Sequence, residues 1–142
     1  MNDFTPDELE TVTRSLATTD LWTGHYYESE LDDNPTPLDY LLNVDDLPTD
    51  VMADLRTLAT DFIAYARKDD RTSAALDTYL GTFTFDQLGH DIALTTCGHG
   101  AGFWDRGLGD AGTALTDVAR TFRREGLSGY RDDDGNVVVT SA

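Results

Sequence analysis

A chain of 142 residues can bury a core without a staple, and 39% hydrophobic residues are enough to fill one. Ten basic residues face 27 acidic ones; the formal net charge of -17 excludes a surface that gathers nucleic-acid phosphate or anionic lipid. The single cysteine, Cys97, excludes an internal disulfide framework.

The acids are lopsided, 22 Asp to 5 Glu, and so are the bases, nine Arg to one Lys, Lys68. Such a surface fits a protein adapted to a salt-rich cell. It also fits a mimic of nucleic-acid phosphate that occupies another protein's basic groove, and the general acidity of a high-GC genome. The lack of lysine favours salt adaptation, because a mimic has no reason to avoid lysine elsewhere. The opening Met1-Asn2-Asp3-Phe4 has neither the basic nor the apolar region of a signal peptide. No run approaches the about 20 apolar residues of a membrane span. The expected location is therefore the host cytoplasm, and the expected organisation a single domain over 1–142. An acidic helical half (about 1–83) precedes a hairpin-helix-hairpin half (about 84–142).

In chain order, Thr5-Pro6-Asp7-Glu8 has the form of a capping box with proline at the first helical position. Leu9, Val12 and Leu16 continue it as a helix expected to end at Thr18-Thr19. Residues 20–36 are irregular. Leu21, Trp22, His25, Tyr26 and Tyr27 lead into an acidic, Pro-ended loop at 28–35, which lacks the spacing of a calcium chelator. Leu38, Leu41 and Leu42 suggest a helical turn. Pro48 opens a long helix on the stripe Val51, Leu55, Leu58, Phe62 and Tyr65 or Ala66. Thr72 or Ser73 is expected to cap a shorter helix stopped by Gly81, and Thr84 with Gln87 forms another capping box.

The densest stretch is Gly89–Gly109, with two of three histidines, the cysteine, one of two tryptophans and six of twelve glycines. Ile92–Cys97 is β-prone and Gly98–Gly102 is turn-like, so a hairpin returning through Phe103-Trp104 is expected. A helix from Thr84 to Cys97 closed by Gly98 is the alternative. Asp110 is expected to cap a last helix on Ala111, Leu115, Val118 and Phe122. A second hairpin follows, with strands 128–131 and 137–140 around Asp134-Gly135. The expected fold is α+β, with N-terminal helices packed on a small antiparallel sheet made of two C-terminal hairpins around one helix.

His90, Cys97 and His99 are ligand types, but Cys97-Gly98-His99 is not answered by a second close pair. Cys97 beside histidine is weak as a nucleophile, and Gly98-x-Gly100-x-Gly102 lacks both the G-x-G-x-x-G spacing and a Walker lysine. No catalytic residue, metal site or cofactor is therefore expected. A small metal- or His-dependent enzyme built on His90, His99 and Asp105 is the remaining enzymatic alternative.

The run Gly89-His90-Asp91 … Leu94-Thr95 … Gly98-His99-Gly100-Ala101-Gly102-Phe103-Trp104-Asp105-Arg106-Gly107 resembles a segment of small acidic proteins from phages and other mobile elements. The resemblance covers roughly 84–139, and Cys97 stands where those proteins often carry a polar residue such as asparagine. It implies an accessory gene of a virus or mobile element and no particular chemistry. Small acidic accessory proteins of such elements often act by binding, so the expected partner is a basic host protein that handles nucleic acid, such as a restriction or CRISPR component, met by carboxylates in place of phosphates. Direct contact with nucleic acid or membrane is not expected. The acids expected to face that partner are Glu28, Glu30, Asp32, Asp33, Asp45, Asp46 and Asp50. His99, Trp104 and Arg106 are expected to form a recognition loop, and His90, Asp91 and Asp105 complete the motif. A salt-adapted interaction or structural protein of a halophile or its virus is the main alternative.

Overall fold

A computed structural model describes residues 4–29, 31–99 and 101–141. Helix α1 (Pro6–Thr23) opens on the expected capping box: Glu8 N–H donates to Thr5 Oγ1 at 3.1 Å, and Thr5 N–H donates to Glu8 Oε1 at 2.9 Å. It runs past the expected end at Thr18-Thr19. The hydroxyls of Thr18, Thr19 and Thr23 donate to carbonyls one turn back, so threonine's competing hydrogen bond is satisfied inside the helix. Gly24 then ends the helix where a Cβ would stand 2.6 Å from the Leu127 carbonyl oxygen.

The chain continues as strand β1 (His25–Tyr27), strand β2 (Thr36–Pro37) and two 3-10 turns, Leu38–Tyr40 and Val44–Asp46. Helix α2 (Thr49–Ala66) buries Val51, Leu55, Phe62 and Ala66 of the expected stripe, while Tyr65 stays 41% exposed. Helix α3 (Asp70–Leu80) is capped by Asp69 rather than Thr72 or Ser73. The Asp69 carboxylate accepts from the Arg71 and Thr72 N–H groups.

Helix α4 (Phe85–Thr96) replaces the expected strand at 92–97. Its Thr84–Gln87 capping box forms, and the helix runs through Gly89 to Thr96. A short apolar run satisfies both a period of 2 and a period of 3.6, and tertiary burial decides between them. Leu88, Asp91, Ile92, Ala93, Leu94 and Thr96 are all buried here, and a strand with one face to solvent would bury only every second residue. Gly98, at φ 74°, turns the chain out of the helix. A third 3-10 turn (Phe103–Arg106) leads through Gly107, at φ 72°, to helix α5 (Asp110–Thr121), whose N-cap is Gly109 rather than Asp110.

Strands β3 (Leu127–Arg131) and β4 (Val137–Ser141) form the expected C-terminal hairpin. The class is α+β, as expected, but the sheet has different members. Its order is β2-β1-β3-β4, with β1 parallel to β3, so the second hairpin pairs with residues 25–37 and not with 92–104. The helices cover one face. Phe62, Tyr79 and Phe103 meet in the core, with the Phe103 ring 5.6 Å from Phe62 and 5.4 Å from Tyr79.

Candidate functional site

The Gly89–Gly109 stretch is built around two buried carboxylates. Asp91 is fully buried on α4. Arg106 grips it with two hydrogen bonds, Nε to Oδ2 at 2.9 Å and Nη2 to Oδ1 at 2.8 Å. The Tyr79 hydroxyl donates to Oδ2 at 2.6 Å. Burial and the adjacent carboxylate push the Tyr79 phenol far above its usual range, so it remains a donor. Arg106 also lies over the Phe83 ring, 5.5 Å from its centroid. The motif's Asp and Arg thus pin the 3-10 turn to α4 and α3, with the Arg106 side chain left 29% exposed. Lysine cannot reproduce a two-pronged grip. Arg106→Lys is expected to lose about 1–3 kcal/mol of stability in urea unfolding. An unchanged midpoint would mean that Tyr79 alone satisfies Asp91.

The second carboxylate, Asp20, is fully buried near the end of α1. Arg124, just beyond α5, holds it through Nη1 to Oδ2 at 2.5 Å and Nη2 to Oδ1 at 2.8 Å. Arg124 Nε also donates to Thr96 Oγ1 at 3.0 Å, and its backbone N–H donates to the Thr96 carbonyl at 3.1 Å. Three helix ends are tied at one guanidinium. Neither Asp20 nor Arg124 stands out in a motif. The available signal is that Val12, Leu16 and Asp20 fall four residues apart, which puts a carboxylate on a buried stripe.

The remaining special residues separate. His90 Nδ1 shares a hydrogen bond of 3.0 Å with Thr19 Oγ1, which also lies 2.9 Å from the Ser15 carbonyl oxygen. The His90 ring stacks with Trp22 at 6.2 Å. Cys97 is half-buried beneath Gly126, and burial pushes its thiol up, opposite to the shift that activates a nucleophile. Among the described residues, no group of three or more His, Cys, Asp or Glu is placed to share a metal ion. Gly100 lies outside the described residues.

His99 and the 58%-exposed Trp104 do come together, in a hollow of about 380 Å³ completed by Thr95, Thr116, Arg120 and Arg123. Helices α4 and α5 both end at this hollow, where carbonyl-rich termini favour nearby cations. The two arginines are explained by those termini, and Arg120 also pairs with Asp117 at 3.3 Å. Asp105 is exposed beside Trp104.

The acids expected at a partner surface divide between two places. Glu28, Asp32 and Asp33 follow β1; Asp45, Asp46 and Asp50 surround the start of α2; Glu30 lies outside the described residues. Several also shape the backbone. Asp32 accepts from the Glu28 and Asn34 N–H groups, Asp46 caps its turn through the Asn43 N–H, and Asp45 pairs with Arg14 at 3.1 Å. The Tyr26 hydroxyl, with Arg131 behind it, holds the Glu28 carboxyl below its usual value. No described helix is long and apolar enough to cross a membrane.

Comparison with known protein families, curated proteins and solved structures finds no match.

Proposed function

We propose that this is a non-catalytic accessory protein of a virus or mobile element. In this reading it inhibits a basic, nucleic-acid-binding host protein by offering carboxylates in place of phosphates. One observation carries the reading. Eight of the nine arginines (Arg14, Arg56, Arg67, Arg71, Arg106, Arg120, Arg124 and Arg131) are engaged with carboxylates of the same chain. Lys68 lies over the Tyr65 ring. The basic groups are largely used internally, whereas Asp33, Asp39, Asp50, Asp61 and Asp133 are exposed with no ion-pair partner among the described residues. The outward field is therefore strongly negative and suits a partner that binds phosphate.

The test is a pull-down from host lysate at two salt concentrations, with the protein as bait. A basic partner should be captured at low salt and released at high salt. Neutralising Glu28, Glu30, Asp32, Asp33, Asp45, Asp46 and Asp50 to their amides should weaken capture; Asp46→Asn keeps an oxygen for its cap. Capture that survives high salt, or that ignores the amide variant, overturns the reading. A salt-adapted interaction protein is the second reading, favoured by Lys68 being the only lysine. It predicts that folding needs molar salt, and a folded circular-dichroism spectrum at low ionic strength counts against it.

A further inference from the structure

Strand alternation sorts the sheet into two faces. Tyr26, Leu127, Gly129 and Val139 point to the core, so Tyr27, Tyr130 and Val138 point outward. Tyr27 is the register partner of Tyr130, and Tyr130 is the partner of Val138, so the three form one row across the strands. The tyrosines remain 41% and 48% exposed. With Glu28, Ser29 and Arg131 they line a cleft of about 420 Å³.

The parallel pairing adds a consequence for charge. Two parallel strands leave a sheet at the same end. The loop after Tyr27 and the turn after Arg131 therefore flank the tyrosine row, although about a hundred residues separate them in sequence. One brings Glu28, Asp32 and Asp33, the other Asp132, Asp133 and Asp134. The base among these groups, Arg131, is already held by the Tyr26 hydroxyl at 3.0 Å, Glu28 at 3.2 Å and the Gly135 carbonyl at 2.8 Å.

We propose that the outward Tyr27–Tyr130 row is the docking surface for an arginine-rich segment of a protein partner. Arginine satisfies both parts of the surface: its guanidinium plane stacks on a phenol ring while its edge meets a carboxylate. Lysine, a more strongly hydrated point charge, meets the carboxylate as well but holds to a ring face more weakly. Nucleic-acid bases could stack on the same rings, but their phosphates would face the six carboxylates. A second copy of the chain would bring the same negative rim. This inference rests on the basic-partner reading above and locates its contact.

The test titrates the full-length protein with fluorescent oligo-arginine and oligo-lysine peptides of equal length. The variants are Tyr27→Ser/Tyr130→Ser and, as a control on α2, Asp61→Asn. The serine pair is expected to weaken oligo-arginine binding about tenfold and leave oligo-lysine binding within about twofold, since arginine's planar stack on the rings is the larger loss. The α2 control should change neither. Equal loss for both peptides, no loss for arginine, or a larger effect of the α2 control overturns the docking surface. The last outcome would keep the basic-partner reading and move its site. Failure of both peptides to bind wild-type protein at low salt overturns both. If the serine pair does not fold, the tyrosine ring resonances of wild-type protein decide. Oligo-arginine should shift those of Tyr27 and Tyr130, and shifts confined to other rings refute the proposal.

Discussion

Arg124→Met is expected to cost about 3–5 kcal/mol, a large part of the stability of an ordinary domain. The substitution preserves most of the aliphatic volume and removes the charge. It leaves the Asp20 carboxylate fully buried, without the two hydrogen bonds at 2.5 and 2.8 Å that satisfy it. It also strips a donor from Thr96 Oγ1. Pairing a buried charge costs desolvation on both sides, so the bridge itself adds little; breaking half of it is what costs. The double variant Asp20→Leu/Arg124→Met should therefore recover much of the loss. A pH dependence follows. Burial is the dominant influence on Asp20 and raises its pKa, and without Arg124 only the weaker pull of the nearby His99 opposes it. In the single variant the folded state then holds a proton that the unfolded state has released. Stability falls as pH rises from the ordinary carboxylate value of 3.8 through the raised one. Relative to wild type, the deficit in urea should be larger at neutral pH than at pH near 5. A deficit that is small, or that grows on acidification, would remove Asp20–Arg124 as a structural clamp.

That clamp also shows where sequence reasoning stops. Local signals were legible: the Thr5–Glu8 and Thr84–Gln87 capping boxes, the α2 stripe and the Asp-Gly hairpin all depend on residues within a few positions of one another. Helix α4 was ambiguous because a short apolar run carries both periods until its burial is known. Strand β1 was missed because it is three residues long, its nearby partner β2 has only two residues, and its other partner, β3, lies about a hundred residues away. Asp20 and Asp91 both lie on buried stripes, which signals a need for a partner without naming it. For Asp91 the answering arginine was inside the motif, 15 positions on; for Asp20 it was 104 positions away. The motif's density of glycine, histidine and cysteine suggested chemistry. Much of it serves packing instead: Phe103 fills the core, Arg106 satisfies Asp91, and Gly102 avoids overlap with Thr95 Oγ1.

Gly89→Ala is expected to destabilise the protein by about 1–3 kcal/mol, the cost of overpacking a close helix contact. Two effects oppose each other here. Inside a helix, alanine is favoured over glycine by about 1 kcal/mol, so propensity alone predicts stabilisation. Packing predicts the reverse. A Cβ at position 89 would overlap the Val12 carbonyl oxygen and come within 2.9 Å of Leu16 N and Ser15 Cβ, so α1 or α4 must move. Two of those three atoms belong to the α1 backbone, which cannot rotate aside as a side chain can. Separating the helices would also strain the hydrogen bond from the Ser15 hydroxyl to the Asp86 carbonyl and the contact between Thr19 and His90. Packing should therefore win. Gly81→Ala supplies the contrast: at the end of α3, with φ -70°, its nearest neighbours would lie at an ordinary 3.5 Å. That change should be neutral or stabilise by about 0.4–1 kcal/mol through the unfolded chain. Thermal melts of the two variants should move in opposite directions, or at least only Gly89→Ala should fall, by several degrees for a chain of this size. A rise for Gly89→Ala would mean that α1 and α4 do not meet at this glycine, and the placement of the whole His90–Asp91 turn against α1 would have to be redrawn.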